Sequence, residues 1–280
     1  MKVVLFCGGR GLRLREYSEA IPKPMVQIGY RPILWHVMRY YAHFGYRDFI
    51  LCLGYGADMI KDYFLHYSEA VSNDFVLSGG GRQIELLGSD IEDWRITFAD
   101  TGLDTTVGER LRRVRHLLAG EEIFLANYSD TLTDAPLDSL VESFRASDAV
   151  ASFLAIRPAA YPFRVLRSGE DDRVEALLRP GDADIWINGG YFMLRREIFD
   201  ALQPGDELVE GPFARLIDAG HLDSVRYEGF WGPLDTLRDL QELEALAAGG
   251  RAPWAVWKRS DLGDRSPHAN AVAPSRESAR

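Results

Sequence analysis

The sequence predicts an α/β fold, a mostly parallel, Rossmann-like mixed sheet flanked by helices, and two observations carry this prediction. Strand-like and helix-like segments alternate through residues 1–160. The strand-like segments are nearly continuous apolar runs, as in parallel strands that are buried on both faces. With 46% hydrophobic and 26% charged residues among 280, the composition is that of a packed globular protein.

Apolar periodicity and cap residues place the elements of this first part. We predict strands over Lys2–Cys7, Asp48–Leu53, Trp94–Ala99, Glu122–Asn127 and Ala149–Ile156. We predict helices over Pro32–Phe44, Ala57–Tyr67, Gly108–Leu118 and Leu137–Ala146. Asp134 is the expected N-cap of the last helix.

The pattern loosens after residue 157. Short strand-like segments follow at Arg164–Arg167, Val174–Leu178 and Tyr191–Leu194. Helices are predicted over Glu197–Leu202, Glu210–Ala219 and Thr236–Ala248. From 259 to 280 large apolar residues are almost absent, which predicts a disordered tail. We therefore expect one domain over 1–258, with a first part (1–157) and a smaller α+β part (158–258).

Charge, hydropathy and cysteine usage exclude several classes of protein. The formal net charge of −10 argues against nucleic-acid binding but permits a local phosphate site. The sequence has no run of 18 apolar residues, so no membrane span is predicted. The apolar stretch at the N-terminus is shorter than that of a signal peptide. Cys7 and Cys52 lie in apolar strand-like contexts, which favours reduced, buried thiols in a cytoplasmic protein.

A glycine-rich loop follows the first strand. Glycines at this place let the backbone approach a ligand, and their amides can face phosphate oxygens. Arg13 adds a planar cation that suits phosphate. The loop matches neither the Rossmann fingerprint nor the P-loop, so a glycine-rich turn without a ligand is the alternative. The candidate nucleotide-binding residues here are Gly8, Gly9, Arg10, Gly11 and Arg13.

Lys23 stands between Pro22 and Pro24, ten residues after Arg13. The two prolines stiffen this segment and hold the ammonium in place. A phosphate ligand is the functional interpretation, and a solvated lysine in a rigid loop is the alternative.

The order Gly8-Gly9-x-Gly11-x-Arg13 and then Pro22-Lys23-Pro24-Met25 resembles the nucleotide-binding signature of the sugar-1-phosphate nucleotidyltransferases. Within that family the chain is most similar to glucose-1-phosphate cytidylyltransferases, over roughly residues 1–257. The supporting segments are Arg31–His36, Asp100–Gly102, Gly108–Leu111, Ile187–Gly190, Gly229–Thr236 and Ala252–Trp254.

The resemblance implies a nucleotide-diphospho-sugar transferase fold, with a nucleotide-binding first part and a sugar-phosphate-binding second part. It implies transfer of a nucleotidyl group, cytidylyl from CTP, to a sugar 1-phosphate such as glucose 1-phosphate. Pyrophosphate leaves, Mg²⁺ is the cofactor, and the chain forms a homo-oligomer. Under the same resemblance Arg13, Lys23 and Asp130 are catalytic.

Two carboxylates are candidate metal ligands. Asp130 follows a strand at the expected carboxyl edge of the sheet, where ligands of open α/β sheets bind. A carboxylate facing a triphosphate needs a cation between them, and Mg²⁺ takes one or two protein carboxylates. A turn or cap is the alternative for Asp130, and an N-cap is the alternative for Asp235. The resemblance assigns both to the metal.

Three further residues are assigned by resemblance. Arg110 matches a family position that contacts the nucleotide, Arg179 would hold the acceptor phosphate, and Asn188 would bond a sugar hydroxyl. The other arginines of the Gly108–Leu118 segment are interpreted as solvated.

Five residues depart from the family pattern on the ligand side. Leu12 replaces a threonine, Ser129 and Thr131 replace glycines around the metal aspartate, and Leu178-Arg179 replaces Glu-Lys. We therefore keep two alternatives: the same chemistry on a modified sugar or cyclitol phosphate or with another nucleotide, and a nucleotide-binding protein without turnover. A glycosyltransferase is a weaker third, because the one Asp-x-Asp, Asp182-Ala183-Asp184, lies in a late, loop-like stretch.

Overall fold

The computed structural model describes residues 1–9, 21–158, 164–168 and 172–261 of the chain. The predicted site residues Arg10, Gly11 and Arg13 lie outside these ranges, as do Leu12 and residues 262–280 of the predicted tail. The chain is helical up to Asp261, so the tail boundary predicted at 259 falls inside a helix.

Fifteen strands occur in the described ranges, several of them very short. In chain order they are β1 Val3–Phe6, β2 Gln27–Ile28, β3 Arg31–Pro32, β4 Asp48–Leu53, β5 Phe75–Ser78, β6 Gln83–Leu86, β7 Arg95–Asp100, β8 Ile123–Asn127, β9 Thr131–Thr133, β10 Ala151–Ile156, β11 Val165–Ser168, β12 Val174–Leu178, β13 Ile187–Arg195, β14 Leu222–Tyr227 and β15 Trp231–Pro233.

The α-helices of the described ranges cover most of the predicted ones. They are α1 Ile33–His43, α2 Ala57–Leu65, α3 Val107–Arg113, α4 Leu137–Ala146, α5 Ile198–Ala201, α6 Ala214–Asp218, α7 Leu237–Ala248 and α8 Val256–Asp261. Short 3₁₀ turns include Lys23–Met25 and Arg115–Leu118. The second of these turns takes up the end of the predicted helix Gly108–Leu118.

Seven strands form the central sheet in the order β14-β10-β13-β8-β1-β4-β7. The pairs β1/β4, β1/β8, β4/β7 and β10/β14 are parallel. β13 alone runs antiparallel, between β8 and β10. The predicted mostly parallel mixed sheet is confirmed.

Apolar side chains alternate across the sheet, so each face carries its own core. Val3 and Leu5 of β1 pack with α1, α4 and α7 on one face. Val4 and Phe6 pack with α3, α5 and α6 on the other. Cys7 and Cys52 are both free and buried, as predicted, and burial raises the pKa of the Cys7 thiol to about 12. Within the described residues, no helix is long and apolar enough to cross a membrane.

Asp134 is not the N-cap of α4, which corrects the sequence prediction. Pro136 occupies that position, and no side chain caps the helix. The carboxylate of Asp134 instead accepts hydrogen bonds from the Tyr227 hydroxyl at 2.6 Å and the Phe230 amide at 2.8 Å. These partners are more than 90 residues away in the sequence, so local spacing could not reveal them.

Candidate active site

The parallel strands place four loop residues at one edge of the sheet. Gly8, Gly54, Thr101 and Asp130 follow the carboxyl ends of β1, β4, β7 and β8 respectively. β1 lies between β4 and β8, so the chain reverses its direction of travel across the sheet at this point. Ligands of open α/β sheets bind at such a reversal, outside the carboxyl ends of the strands.

Arg110 fastens three of these loops together. One terminal nitrogen of its guanidinium donates to Leu53 O at 3.1 Å, Thr101 Oγ1 at 2.7 Å and Gly102 O at 2.8 Å. The other donates to Gly8 O at 3.0 Å and to the Leu103 carbonyl. Arg110 is only 3% exposed, and burial lowers its pKa. Its first task is therefore to fix the loop backbones; the nucleotide contact stays a prediction.

Two glycines make this close approach possible. A Cβ at Gly8 would lie 2.2 Å from Nη1 of Arg110, and one at Gly54 would lie 2.6 Å from Gly102 O. A Cβ at Gly9 would meet no atom of the described residues within 4 Å, and Gly9 lines a cavity. Gly8 is thus required by packing against Arg110, whereas Gly9 offers its backbone to a cavity.

Lys23 lies at the start of the 3₁₀ turn Lys23–Met25, whose Pro24 and Met25 are buried. Its ammonium donates to Oδ2 of Asp130 and to Oδ1 of Asp235, each at 2.6 Å. The Lys23 side chain is 13% exposed. Asp130 and Asp235 lie 105 residues apart in the sequence, and the fold brings both carboxylates to the ammonium of Lys23.

Opposing effects act on the charges of this cluster. Burial lowers the pKa of Lys23, but the charges and hydrogen bonds of Asp130 and Asp235 outweigh it, so this pKa is raised. Burial raises the pKa of Asp130, and the Lys23 charge only partly opposes that rise. The lysine is held as a cation, and the two carboxylates depend on a positive neighbour.

The donor set fits a divalent cation of the magnesium type. Two carboxylate oxygens converge on one point, where a positive charge, the ammonium, already sits. No cluster of three or more His, Cys, Asp or Glu able to hold a metal occurs among the described residues. Two carboxylates completed by substrate phosphates and water are what Mg²⁺ commonly takes, whereas a structural zinc site needs four protein ligands.

Asp235 does not cap the helix that follows it. Thr236 is the N-cap of α7 and forms a capping box with Asp239. The Asp239 carboxylate also accepts from the Asp235 backbone amide at 3.0 Å. The Asp235 side chain is therefore left to face Lys23, and the alternative interpretation of it as an N-cap is wrong.

Ser129 keeps the backbone conformation that the family's glycine would favour. Its φ is 64°, in the left-handed region. Two hydrogen bonds stabilise it: its amide donates to Asn127 Oδ1 at 2.6 Å, and its hydroxyl donates to Phe6 O at 2.8 Å. Thr131, the second departure around Asp130, begins the extended strand β9, where a Cβ is tolerated. Neither departure disrupts the position of Asp130.

Two cavities meet at Asp235. The first, which we call the nucleotide cavity after the ligand that the sequence predicts for its residues, has a volume of about 440 Å³ and is lined by Phe6, Cys7, Gly8, Gly9, Lys23, Pro24, Thr105, Thr106, Val107, Arg110, Tyr128, Ser129, Asp130, Glu207 and Asp235. The second, which we call the acceptor cavity after the ligand proposed for it below, has a volume of about 820 Å³ and is lined by Ile156, Arg157, Pro158, Gly181, Tyr227, Glu228, Gly229, Trp231, Pro233, Asp235, Thr236, Arg238 and Asp239. A reaction between ligands of the two cavities would take place beside Lys23 and Asp235.

The two predicted sugar-phosphate residues do not line either cavity within the described residues. Arg179 is exposed, at the end of the hairpin β11–β12. Asn188 accepts from the Gly190 amide at 2.8 Å and hydrogen-bonds the Tyr128 hydroxyl. Their roles toward the acceptor stay predictions.

Sequence reasoning missed several lining residues. Arg157 follows β10 in the acceptor cavity and stacks on Trp186 at 4.7 Å. Glu207 lies in a loop without any motif, and only its tertiary neighbours reveal it. Tyr128 stands beside Asp130 in the Asn127–Asp130 run, so the sequence could have indicated it.

Comparisons with known proteins agree with this geometry. A family model described as nucleotidyl transferase matches residues 2–212. The probable glucose-1-phosphate cytidylyltransferase of Bacillus subtilis (strain 168) is 36% identical over 259 residues, covering 92% of this chain and 100% of that protein. The glucose-1-phosphate cytidylyltransferase of Salmonella typhimurium (strain LT2) is 35% identical over 260 residues, again covering 92% and 100%.

A solved structure shares the fold at much lower sequence identity. UDP-glucose pyrophosphorylase in complex with UDP-glucose superposes with a TM-score of 0.65 at 14% identity, covering 89% of this chain and 99% of that one. The likeness in fold therefore extends over most of this chain.

Proposed function

Because the chain belongs to the nucleotidyl transferase family, we propose that it transfers a cytidylyl group from CTP to a sugar 1-phosphate, with glucose 1-phosphate as the first candidate. The acceptor phosphate attacks the α-phosphate, the new P–O bond forms, and pyrophosphate leaves. The observation that carries this proposal is the Lys23 ammonium between Asp130 and Asp235, at the junction of two cavities.

Charge neutralisation and positioning are what phosphoryl transfer needs most. In this proposal Gly8 and Gly9 present their backbone to the nucleotide, and Arg110 keeps that backbone in place. Lys23 stabilises the negative charge that grows at the α-phosphate. Under the resemblance, Arg13 and the amides of the glycine-rich loop would hold the β- and γ-phosphates. No general base is required, because a phosphate monoester is already anionic at neutral pH.

We assign Asp130 and Asp235 as the ligands of Mg²⁺. Such an ion, when bound, neutralises phosphate charge and orients the triphosphate. What supports this assignment is the convergence of two carboxylates on one cationic position. On this assignment the ammonium of Lys23 leaves the carboxylates when the nucleotide binds and turns to its α-phosphate.

The acceptor sugar is assigned to the acceptor cavity. Trp231 and Tyr227 supply aromatic surfaces there, and the indole of Trp231 is fixed by a hydrogen bond to Gly189 O at 2.9 Å. The acceptor phosphate is assigned to the Asp235 end, where this cavity meets the nucleotide cavity. Arg179 lies two residues before Gly181, which lines this cavity, and we assign its guanidinium to the acceptor phosphate.

A substrate panel tests the function directly. Pyrophosphate release is measured with CTP, UTP, dTTP, GTP and ATP, each against glucose 1-phosphate and a set of deoxy-sugar, modified-sugar and cyclitol phosphates. We expect CTP with a hexose 1-phosphate to be fastest, with product identified by mass spectrometry and activity abolished by EDTA. Nucleotide binding without pyrophosphate release for any pair would favour the alternative of a binding protein without turnover.

We also propose that the chain assembles with further copies of itself. In the hairpin β5–β6, Phe75 pairs with Leu86 and Leu77 with Ile84, so these four side chains share one face. All four are exposed, Leu77 by 58% and Ile84 by 59%. A lone two-stranded hairpin with such a face is marginal in water. Sedimentation should show an oligomer that Leu77→Glu dissociates, and a monomeric wild-type chain would contradict this.

The buried free thiols Cys7 and Cys52 support a reducing compartment, so we assign the protein to the cytoplasm.

A further inference from the structure

Glu207 enters the nucleotide cavity from a loop that is docked against the start of α3. The Thr106 hydroxyl donates to Asp206 O at 2.6 Å, and the Val107 amide donates to Oε2 of Glu207 at 3.1 Å. A Cβ at Gly108 would lie 2.5 Å from Asp206 O, so the two segments touch. These contacts fix the carboxylate of Glu207 in the cavity wall.

The Glu207 carboxylate has no positive partner among the described residues. Asp130 and Asp235 share Lys23, and the neighbouring Asp206 pairs with Arg215. Glu207 forms no such ion pair within the described ranges, and there only Oε2 receives a hydrogen bond. Oε1 is therefore left as an acceptor on a half-buried carboxylate.

A carboxylate that has no positive partner among the described residues is an unusual wall for a cavity that binds a triphosphate. Like charges repel, so Glu207 disfavours phosphate nearby and must face another part of the nucleotide. Lys23 and Gly9 supply the phosphate-binding part of the same lining. What remains for Glu207 is a neutral donor, and the amino group of a nucleobase is such a donor.

Resting on the proposed function, we propose that Glu207 accepts a hydrogen bond from the exocyclic 4-amino group of cytosine and thereby selects CTP over UTP and dTTP. Uracil and thymine carry a carbonyl oxygen at the same position. An acceptor would then face an acceptor, and a buried polar group would lose its partner. Carboxylates accept from the cytosine amino group in the same way in nucleic-acid readout.

The test is the nucleotide preference of Glu207→Gln. The amide keeps the shape and an oxygen for the Val107 amide, but its NH₂ group now donates. We expect the ratio of kcat/KM for CTP to that for UTP to fall by about tenfold to a hundredfold. Equilibrium binding of CMP and UMP, measured by calorimetry, should change in the same direction without any turnover.

Glu210→Gln is the matched control, since it removes the same charge from an exposed position outside the cavity. Its nucleotide ratio should equal that of the wild type. An equal loss for CTP and UTP in Glu207→Gln, or an unchanged ratio, overturns the inference. If that variant fails to fold, Glu207→Asp is used instead. Its shorter side chain withdraws the acceptor, so the ratio of kcat/KM for CTP to that for UTP should fall there too. Absence of turnover in the wild type would defeat the proposed function, whereas CMP and UMP binding would still decide the role of Glu207.

Discussion

The nucleotide side and the acceptor side of this edge differ in how firmly their residues are held. On the nucleotide side, Arg110 makes five hydrogen bonds to three loops, and Lys23 makes two to carboxylates. On the acceptor side, Arg179 is exposed at the end of the hairpin β11–β12, whose Leu166 and Leu177 are 56% and 66% exposed. Among the described residues, Arg110 preorganises the loop backbone on the nucleotide side, whereas the hairpin that carries Arg179 has several exposed apolar side chains.

This difference predicts which properties substitutions on each side will change. A preorganised site binds without the free-energy cost of ordering its side chains. A segment with few buried contacts is drawn from the less stable part of a fold and can rearrange on binding. We therefore expect substitutions on the nucleotide side to affect chemistry and stability together, and those on the acceptor side to affect acceptor KM.

The largest effect is expected for Asp130→Asn. The loss of one of two carboxylates removes a proposed metal ligand and a partner of Lys23, so kcat should fall by about a hundredfold to a thousandfold. Steady-state kinetics at saturating Mg²⁺ measures this, and circular dichroism checks the fold. Asp138→Asn, on the exposed face of α4, is the matched control and should retain full activity. Full activity in Asp130→Asn would remove its role as metal ligand.

A comparison of Gly8→Ala with Gly9→Ala tests the preorganisation of the loops. The first places a methyl 2.2 Å from the Arg110 guanidinium, whereas the second places one where no atom of the described residues lies within 4 Å. Gly8→Ala should reduce the free energy of unfolding by about 2–4 kcal/mol, through overpacking and lost hydrogen bonds. Gly9→Ala should unfold in urea like the wild type while binding CTP more weakly. Equal stability of the two variants would show that Arg110 can relax.

Arg179→Ala tests the predicted contact between Arg179 and the acceptor phosphate. If this contact exists, loss of the guanidinium should raise the acceptor KM by about tenfold, the value of a charge-assisted hydrogen bond, with little change in the KM for CTP. Leu178→Glu with Arg179→Lys should then shift preference among sugar phosphates. Unchanged acceptor KM in Arg179→Ala would mean that Arg179 does not hold the acceptor phosphate, and Arg157→Ala becomes the next variant.

The smallest effect is expected at Ser129. Ser129→Ala loses the hydrogen bond to Phe6 O and keeps the left-handed backbone, so it should destabilise by about 1–2 kcal/mol. Ser129→Gly loses the same hydrogen bond but removes the strain of a left-handed backbone at a residue with a Cβ. The free energy of unfolding should therefore fall by less. Urea denaturation of both variants measures the difference. A glycine variant no more stable than the alanine variant would show that the φ of 64° costs nothing here.

Patterns along the chain were enough to predict the alternating elements, the mostly parallel sheet and the family. The apolar runs of β1, β4 and β8 are local patterns, and so are the glycine loop and Lys23 between two prolines. Such patterns can be recognised in the sequence alone, because they depend only on the spacing of residues along the chain. The pairing of β13 antiparallel to β8 could not be read in this way, because register is decided by partners far along the chain.

Which polar residues act together depends on contacts between distant parts of the chain. In the structure Lys23 contacts both Asp130 and Asp235. Asp134 accepts hydrogen bonds from Tyr227 and Phe230 instead of capping α4, and Thr236 is the N-cap of α7. The structure also places Glu207 in the wall of the nucleotide cavity, although no motif in the sequence indicates this residue. Hydrogen bonds and ion pairs require distances of about 3 Å between atoms, and separation along the sequence does not determine such distances.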